Sequence, residues 1–311
     1  MLPALPEGVV GASRVPALAR MLRSERPAVF HAHQTWPISC KWALAAACAA
    51  RVPAVVATAQ LFVEIPMGWS RRLQLGMLSR GIDRVIAVSE DTRRNWIESL
   101  NWPADRVEVV PNAIEVDVSV GNGEVAAARA ALDDDSGRPL ALVPARLDSG
   151  KGHEYLLDAA ERLPGVRFAC VGDGPFRARL TRRAEERGVA DRVEFLGFRR
   201  DVPVLLRAAD IVVLPSLYEG LPLSLIEAMV AARPVVATAV GGTPELVVHD
   251  ETGLLIPPRD PVALADAVER VASDPDLADA LGSAGAERAR RRFSSQAMVA
   301  AVATLYAEIL G

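Results

Sequence analysis

Glu219 and Glu227 stand eight positions apart in the run Pro215-Ser-Leu-Tyr-Glu-Gly-Leu-Pro-Leu-Ser-Leu-Ile-Glu. A strand-like run, Ile211 to Leu214, leads into a turn carrying Glu219 and Gly220. A helix is expected from Pro222, whose missing N–H costs nothing at a first helical position. The first carboxylate then sits at a loop tip beside a helix N-terminus, and the second about a turn and a half into that helix. Backbone N–H groups at Gly220, Leu221 and Leu223 are expected to face the same crevice, where a helix start favours phosphate or another anion. Carboxylates nearby accept hydrogen bonds from sugar or ribose hydroxyls. Together these features describe a pocket for a sugar joined to a nucleotide diphosphate.

Two cations occupy a second loop. Arg146 and Lys151 follow the strand-like run Leu140–Pro144, with Gly150 and Gly152 flanking the lysine. A βα loop at the carboxyl edge of a parallel sheet is where nucleotide ligands bind, and glycine lets the backbone approach closely. Taken alone, the plainer reading is a solvated basic loop. Glu227 lies among Leu225, Ile226, Ala228 and Met229, and an acid in such company needs a partner. His33 ends a strand, where residues line a crevice. His31 shares its strand face by period-two alternation, lies deeper, and reads as structural. No metal-ligand spacing occurs.

The stretch around the two glutamates resembles the E-x7-E motif of retaining glycosyltransferases with the GT-B fold, most closely family 4. Further pieces follow in the family's order from Val29 onward: Phe30-His-Ala-His33-Gln, Val85-Ile-Ala-Val-Ser89, Val109-Val-Pro-Asn112, Ala145-Arg146-Leu with Gly150-Lys151-Gly, Val171-Gly-Asp-Gly-Pro175, Phe195-Leu-Gly197 and Val240-Gly-Gly-Thr-Pro-Glu245. The resemblance implies sugar transfer from a nucleotide-diphosphate sugar with retention of configuration. It implies that Arg146 and Lys151 neutralise the departing diphosphate, that Glu219 meets the donor-sugar hydroxyls, and that Glu227 accepts from the ribose. His33 would contact the donor sugar near its anomeric carbon. The loop from Gly197 through Phe198 to Asp201 would hold the base, largely by backbone atoms. Gly220, Leu221, Pro222 and Leu223 complete the donor site.

No metal and no cofactor is expected, because fixed positive charge does the electrostatic work. The partners implied are the nucleotide sugar and a glycan or lipid-linked acceptor, with no nucleic acid. Gly172-Asp-Gly174 is assigned to the crevice wall. The Gly241–Glu245 loop reads equally as crevice edge or tight turn. Ala113 stands where family members often have glycine. A sugar-nucleotide 2-epimerase and a non-catalytic nucleotide-sugar-binding remnant are the alternative readings; a sugar phosphorylase would need a much longer chain.

These residues require elements to position them. Strand and helix signals alternate along the chain, the mark of βαβ units and parallel sheets. Strands are expected at 28–33, 54–58, 84–88, 107–110, 140–144, 167–171, 192–195, 211–214 and 234–238. Helices are expected at 15–23, 38–50, 71–79, 92–100, 153–163, 175–187, 202–208, 222–231, 261–273, 275–291 and 294–310. The expected architecture is α/β and GT-B-like: two Rossmann-type domains facing a crevice. Residues 1–115 form a first, incomplete domain and 116–138 a linker with one Ala-rich helical stretch. Residues 139–291 form the nucleotide-sugar domain, and 292–311 a helix crossing back to the first. Relative to the family, roughly two to three βα units, on the order of 60–90 residues, are expected to be absent before the first strand.

Composition agrees with a globular protein: of 311 residues, half are hydrophobic and 24% charged. The three cysteines, Cys40, Cys48 and Cys170, show no metal spacing and read as buried thiols of a reducing compartment. No apolar run reaches the ~18–20 residues of a membrane span. The start, Met1-Leu-Pro-Ala-Leu-Pro-Glu, lacks a basic n-region. The expected location is therefore cytoplasmic. Lys and Arg outnumber Asp and Glu 13 to 9 as far as Pro111 and are outnumbered 22 to 30 beyond it. The basic half suits peripheral contact with anionic lipid at the inner membrane face, although a solvated Arg-rich face is the plainer reading. Trp36, Trp69 and Trp96 read as core or interface anchors.

Overall fold

The computed structural model describes residues 9–37, 39–62, 68–115, 120–132 and 136–311. The chain divides into two compact units: one runs up to Asn112 and includes Ala297–Gly311, the other is Ala113–Gln296.

The first unit alternates α1 (Val9–Glu25), β1 (Val29–Gln34), α2 (Lys41–Ala50), β2 (Ala54–Ala59), α3 (Trp69–Gly81), β3 (Arg84–Ala87), α4 (Glu90–Leu100) and β4 (Val107–Val109). The four strands are parallel and neighbour one another in chain order, with His33 opposite Thr58. Strands buried on both faces read as continuous apolar runs, which is why Ala54–Ala59 is buried throughout. Period-two alternation sends Ala32, Val55, Ala57 and Val85 to a face packed by α1 to α4, around Leu44, Leu78 and Trp96. The opposite face carries Val56, Ile86 and Val110.

In the second unit, α5 (Asn122–Leu132) precedes β5 (Leu140–Pro144), α6 (His153–Ala160), β6 (Arg167–Val171), α7 (Arg177–Glu186), β7 (Val193–Gly197), α8 (Val202–Ala208), β8 (Ile211–Leu214), α9 (Leu223–Val230), β9 (Val235–Thr238), α10 (Thr243–Leu246), β10 (Leu254–Ile256), α11 (Pro261–Ser273) and α12 (Pro275–Arg292). Its parallel sheet runs β10-β9-β8-β5-β6-β7. The chain enters mid-sheet at β5, builds outward to β7, then returns to β8 and builds the other way. The order reverses between β5 and β8, and a doubly wound sheet opens its ligand crevice at such a reversal. The last helix, α13 (Ser295–Leu310), lays Leu305, Met298, Val302, Tyr306 and Ile309 against Val56, Ile86 and Val110 of the first unit.

Several expectations need correction. The segment 116–138 does not serve as a linker throughout, because α5 packs on α8 and belongs to the second unit, which starts at Ala113. Residues 116–119 and 133–135 of that segment lie outside the described residues, as do 1–8, Ile38 and 63–67. Pro222 is the N-cap, with extended ψ of 116°, so α9 begins one residue later at Leu223. The helix expected from 15 starts by Val9, carrying Pro16 inside it. Two short elements, α10 and β10, carry no sequence signal of their own. Only Cys170 of the three thiols is buried; Cys40 is exposed and Cys48 partly so. Trp96 is a core anchor against Trp102, edge to face at 5.1 Å, whereas Trp36 is exposed. The side chain of Trp69 falls outside the described ones.

Candidate active site

Three loops meet at the carboxyl ends of β5, β8 and β9. They interlock through backbone, and glycine is what permits it. Gly152 has a φ of +67°, and a Cβ there would stand 1.9 Å from the carbonyl oxygen of Pro215. Leu217 N–H donates to Gly150 O at 2.8 Å. On the other side, Gly241 has a φ of +53°, and its Cβ would fall 1.8 Å from Glu219 O. Gly242 N–H donates to Gly220 O at 2.8 Å. The Gly241–Glu245 loop is therefore the wall that holds the Glu219 turn in place.

Held this way, two side chains from adjacent strands' loops converge. Lys151 Nζ donates to Glu219 Oε1 at 2.5 Å, and Ser216 Oγ donates to the same oxygen at 2.7 Å. The carboxylate is 9% exposed and the ammonium 24%. Glu219 thus commits one oxygen to its neighbours and keeps Oε2 as an acceptor. Beside it, α9 begins without a side-chain cap, so its first N–H groups remain available to an anion. Gly220 and Leu221 are buried, while Leu223 is exposed.

Arg146 sits in the same loop as Lys151, but its guanidinium is 73% exposed and pairs with Asp148 at 3.3 Å. Asp148 also accepts from Gly150 N–H at 2.9 Å and so shapes the loop. Directly after Lys151 and Gly152 comes His153, 1% exposed, with neither ring nitrogen bonded among the described residues. Burial is the chief cause that lowers its pKa to about 4; the Lys151 charge adds to this and Asp148 opposes it. It lies against a cavity of about 190 Å³ that Ser149, Phe176, Arg179 and Leu217 also line. Neither His153 nor Ser216 stands out in the sequence: His153 gains its surroundings partly from Leu217 of the facing loop, and Ser216 gains its role from Glu219 three residues on.

Glu227 is placed apart. It lines a cavity of about 440 Å³ between α8 and α9, with Pro203, Leu206, Arg207, Val230 and Arg233, and neither Lys151 nor Glu219 borders it. The Glu227 carboxyl has no hydrogen-bond or ion-pair partner among the described residues, and burial pushes its pKa up. The base loop leaves Phe198 74% exposed. There Arg199 pairs with Asp201 at 2.6 Å, which raises the guanidinium's pKa and lowers the carboxyl's.

In the first unit, His33 and His31 stack with ring centroids 4.6 Å apart. His33 is exposed, with Nδ1 3.5 Å from Gln60 Nε2. Both histidines, Gln60, Thr58, Asn112 and Tyr306 line a cavity of about 330 Å³ whose remaining walls are apolar side chains. Among the described residues, no group of three or more His, Cys, Asp or Glu could hold a metal, and no helix is long and apolar enough to cross a membrane.

The model for glycosyl transferases group 1 matches residues 125–288, and that for a glycosyl transferase 4-like domain matches residues 2–113. Alpha-D-kanosaminyltransferase of Streptomyces kanamyceticus is 36% identical over 187 residues, 58% of this chain and 48% of that protein. The 2-deoxystreptamine N-acetyl-D-glucosaminyltransferase of Streptomyces fradiae is 31% identical over 304 residues, 88% of this chain and 72% of that protein. The chain spans about half the length of curated relatives such as the first. Among solved structures, Anabaena HepE in complex with UDP and glucose superposes with a TM-score of 0.86 at 24% identity, covering 97% of this chain and 84% of its own. That likeness identifies the fold as GT-B, with two Rossmann-like α/β parts.

Proposed function

The chain belongs to the group 1 glycosyl transferases, and from that we propose that it transfers a sugar from a nucleotide-diphosphate sugar to an acceptor, with retention of anomeric configuration. The observation that carries this reading is the Lys151–Glu219–Ser216 cluster at the reversal point of the second sheet, beside an uncapped helix start. A cation and free backbone donors suit a diphosphate, and the spare carboxylate oxygen suits a sugar hydroxyl.

In this reading the Lys151–Glu219 contact opens when donor binds. The ammonium turns to the diphosphate, and Glu219 exchanges that partner for hydroxyls of the donor sugar. Arg146, exposed on the same loop, adds positive charge. Glu227 takes the ribose hydroxyls, and the backbone of the Gly197–Asp201 loop takes the base. The bond from the anomeric carbon to the phosphate oxygen then breaks. The acceptor hydroxyl attacks the same face, and its proton passes to the departing diphosphate. Donors aimed at that growing charge stabilise the transition state more than the bound substrate. Lysine, arginine and helix start supply this charge without a metal. The acceptor is a glycan or a lipid-linked molecule, met in the cytoplasm, with the basic first half near anionic lipid.

A calorimetric panel of UDP-, GDP-, ADP- and dTDP-sugars tests this reading. We expect at least one donor to bind in the micromolar range to the intact chain, and a Lys151→Ala chain to lose most of that affinity. Equal affinity of both chains for every donor would overturn it.

A further inference from the structure

His31 has a full set of partners. Its Nδ1 lies 2.6 Å from Tyr306 Oη on α13, and its Nε2 lies 2.6 Å from Thr58 Oγ1 on β2. The ring meets Tyr306 edge to face at 5.8 Å. A neutral imidazole has one N–H and one acceptor nitrogen. Two hydroxyl partners satisfy both, each as donor or acceptor as required. Burial first, and the charge of His33 second, hold the ring neutral down to about pH 4. With both nitrogens occupied, His31 cannot ligate or titrate against a substrate. It is a fixed plane, because rotation about either side-chain bond breaks a hydrogen bond.

His33 rests on that plane with 24° between the rings. Gln60 meets its Nδ1 edge, and its Nε2 has no partner among the described residues. The surrounding cavity is lined by no Asp, Glu, Lys or Arg, so its titratable groups are the two histidines and Tyr306. We propose that Tyr306 and Thr58 are positioning residues: acting through His31, they fix the His33 imidazole in one orientation. The functional value of this clamp rests on the transfer reading above and on the expectation, implied by the family resemblance, that His33 contacts the donor sugar. The C-terminal helix thereby becomes part of the site.

The chain has four histidines, so long-range ¹H–¹⁵N spectra of the intact protein, titrated from pH 5 to 8, resolve each ring. We expect wild-type His31 to show one neutral tautomer throughout. Tyr306→Phe and Thr58→Val should each shift the His33 ring resonances, because the stacked His31 plane changes its orientation when either hydrogen bond is lost. Thr58→Ser, which keeps the hydroxyl, should restore the wild-type spectrum, and it does so only if the effect runs through the hydrogen bond. His33 resonances identical in wild type, Tyr306→Phe and Thr58→Val would overturn the proposal. Only the His33 resonances decide the outcome. A protein that shows these shifts yet binds no nucleotide sugar counts against the transfer reading, not against the clamp.

Discussion

Lys151 and Glu219 are 68 residues apart in sequence and 2.5 Å apart in space. They are brought together because β5 and β8 are neighbours at the point where strand order reverses. The contact does two things at once. It neutralises a carboxylate that is nearly out of water, and it keeps an ammonium where an anion would bind. Removing the lysine leaves the carboxylate buried without its charge partner, at a cost of about 1–3 kcal/mol. Lys151→Ala should therefore lower thermal stability in the absence of ligand, and should cut nucleotide-diphosphate affinity while weakening its salt dependence. Thermal melts and calorimetry at two ionic strengths check both; a stable variant with wild-type salt dependence would contradict the assignment.

The two glutamates should separate by ligand. Glu227→Ala is expected to weaken binding of the free nucleotide diphosphate roughly tenfold, one good hydrogen-bonded contact to ribose. Glu219→Ala should leave that ligand bound and impair the nucleotide sugar. Calorimetry with both ligands on both variants decides the matter, and matching losses across all four measurements would refute it.

Gly152 offers a backbone test. At its positive φ, and with a Cβ directed onto Pro215 O, alanine is both strained and obstructed. Gly152→Ala should cost at least about 1–3 kcal/mol and displace Lys151. Gly165→Ala, where a Cβ meets nothing within 4 Å, is the control and should be neutral or slightly stabilising. Similar melting temperatures for the two variants would show that the loops do not interlock as described.

Buried histidines set an acid limit. His31 and His153 have folded pKa values of about 4, against about 6.5 in the unfolded chain. The unfolded state therefore binds more protons between those values. Their contribution is present in full above about pH 6.5 and is lost as pH falls towards 4. Melting temperature should drop across that window. His153→Leu should flatten the drop; an unchanged slope would mean that its burial is not what makes the fold acid-sensitive.

Much of the sheet architecture was legible because both sheets are parallel and covered on both faces. Ala54–Ala59 and Ile211–Leu214 are unbroken apolar runs, and helices such as α4 and α11 follow short polar residues, Ser89 and Asp260. Ser89 caps α4 through Thr92 N–H, and Asp260 caps α11. What escaped was whatever depends on a distant partner. β10 has three residues and exists because β9 offers an edge. The Ala-rich stretch at α5 is visible as a helix, but its attachment to α8 is not. Within the site, Glu219 and Lys151 stand out by type and spacing. Ser216, Gln60 and Tyr306 matter only through the side chains they touch, and two of these lie on other strands or helices.

The bond between His31 and Tyr306 spans 275 positions. Its consequence is temporal. During synthesis the first unit's strands and α1 to α4 emerge early, yet the helix that covers Val56 and Ile86 is translated after the whole second unit. Closing so long a loop slows assembly, and until it closes one face of that sheet stays wet and adhesive. A chain cut short within α13 would carry its damage not at the cut but on the sheet face around Val56 and Ile86, more than 200 residues earlier.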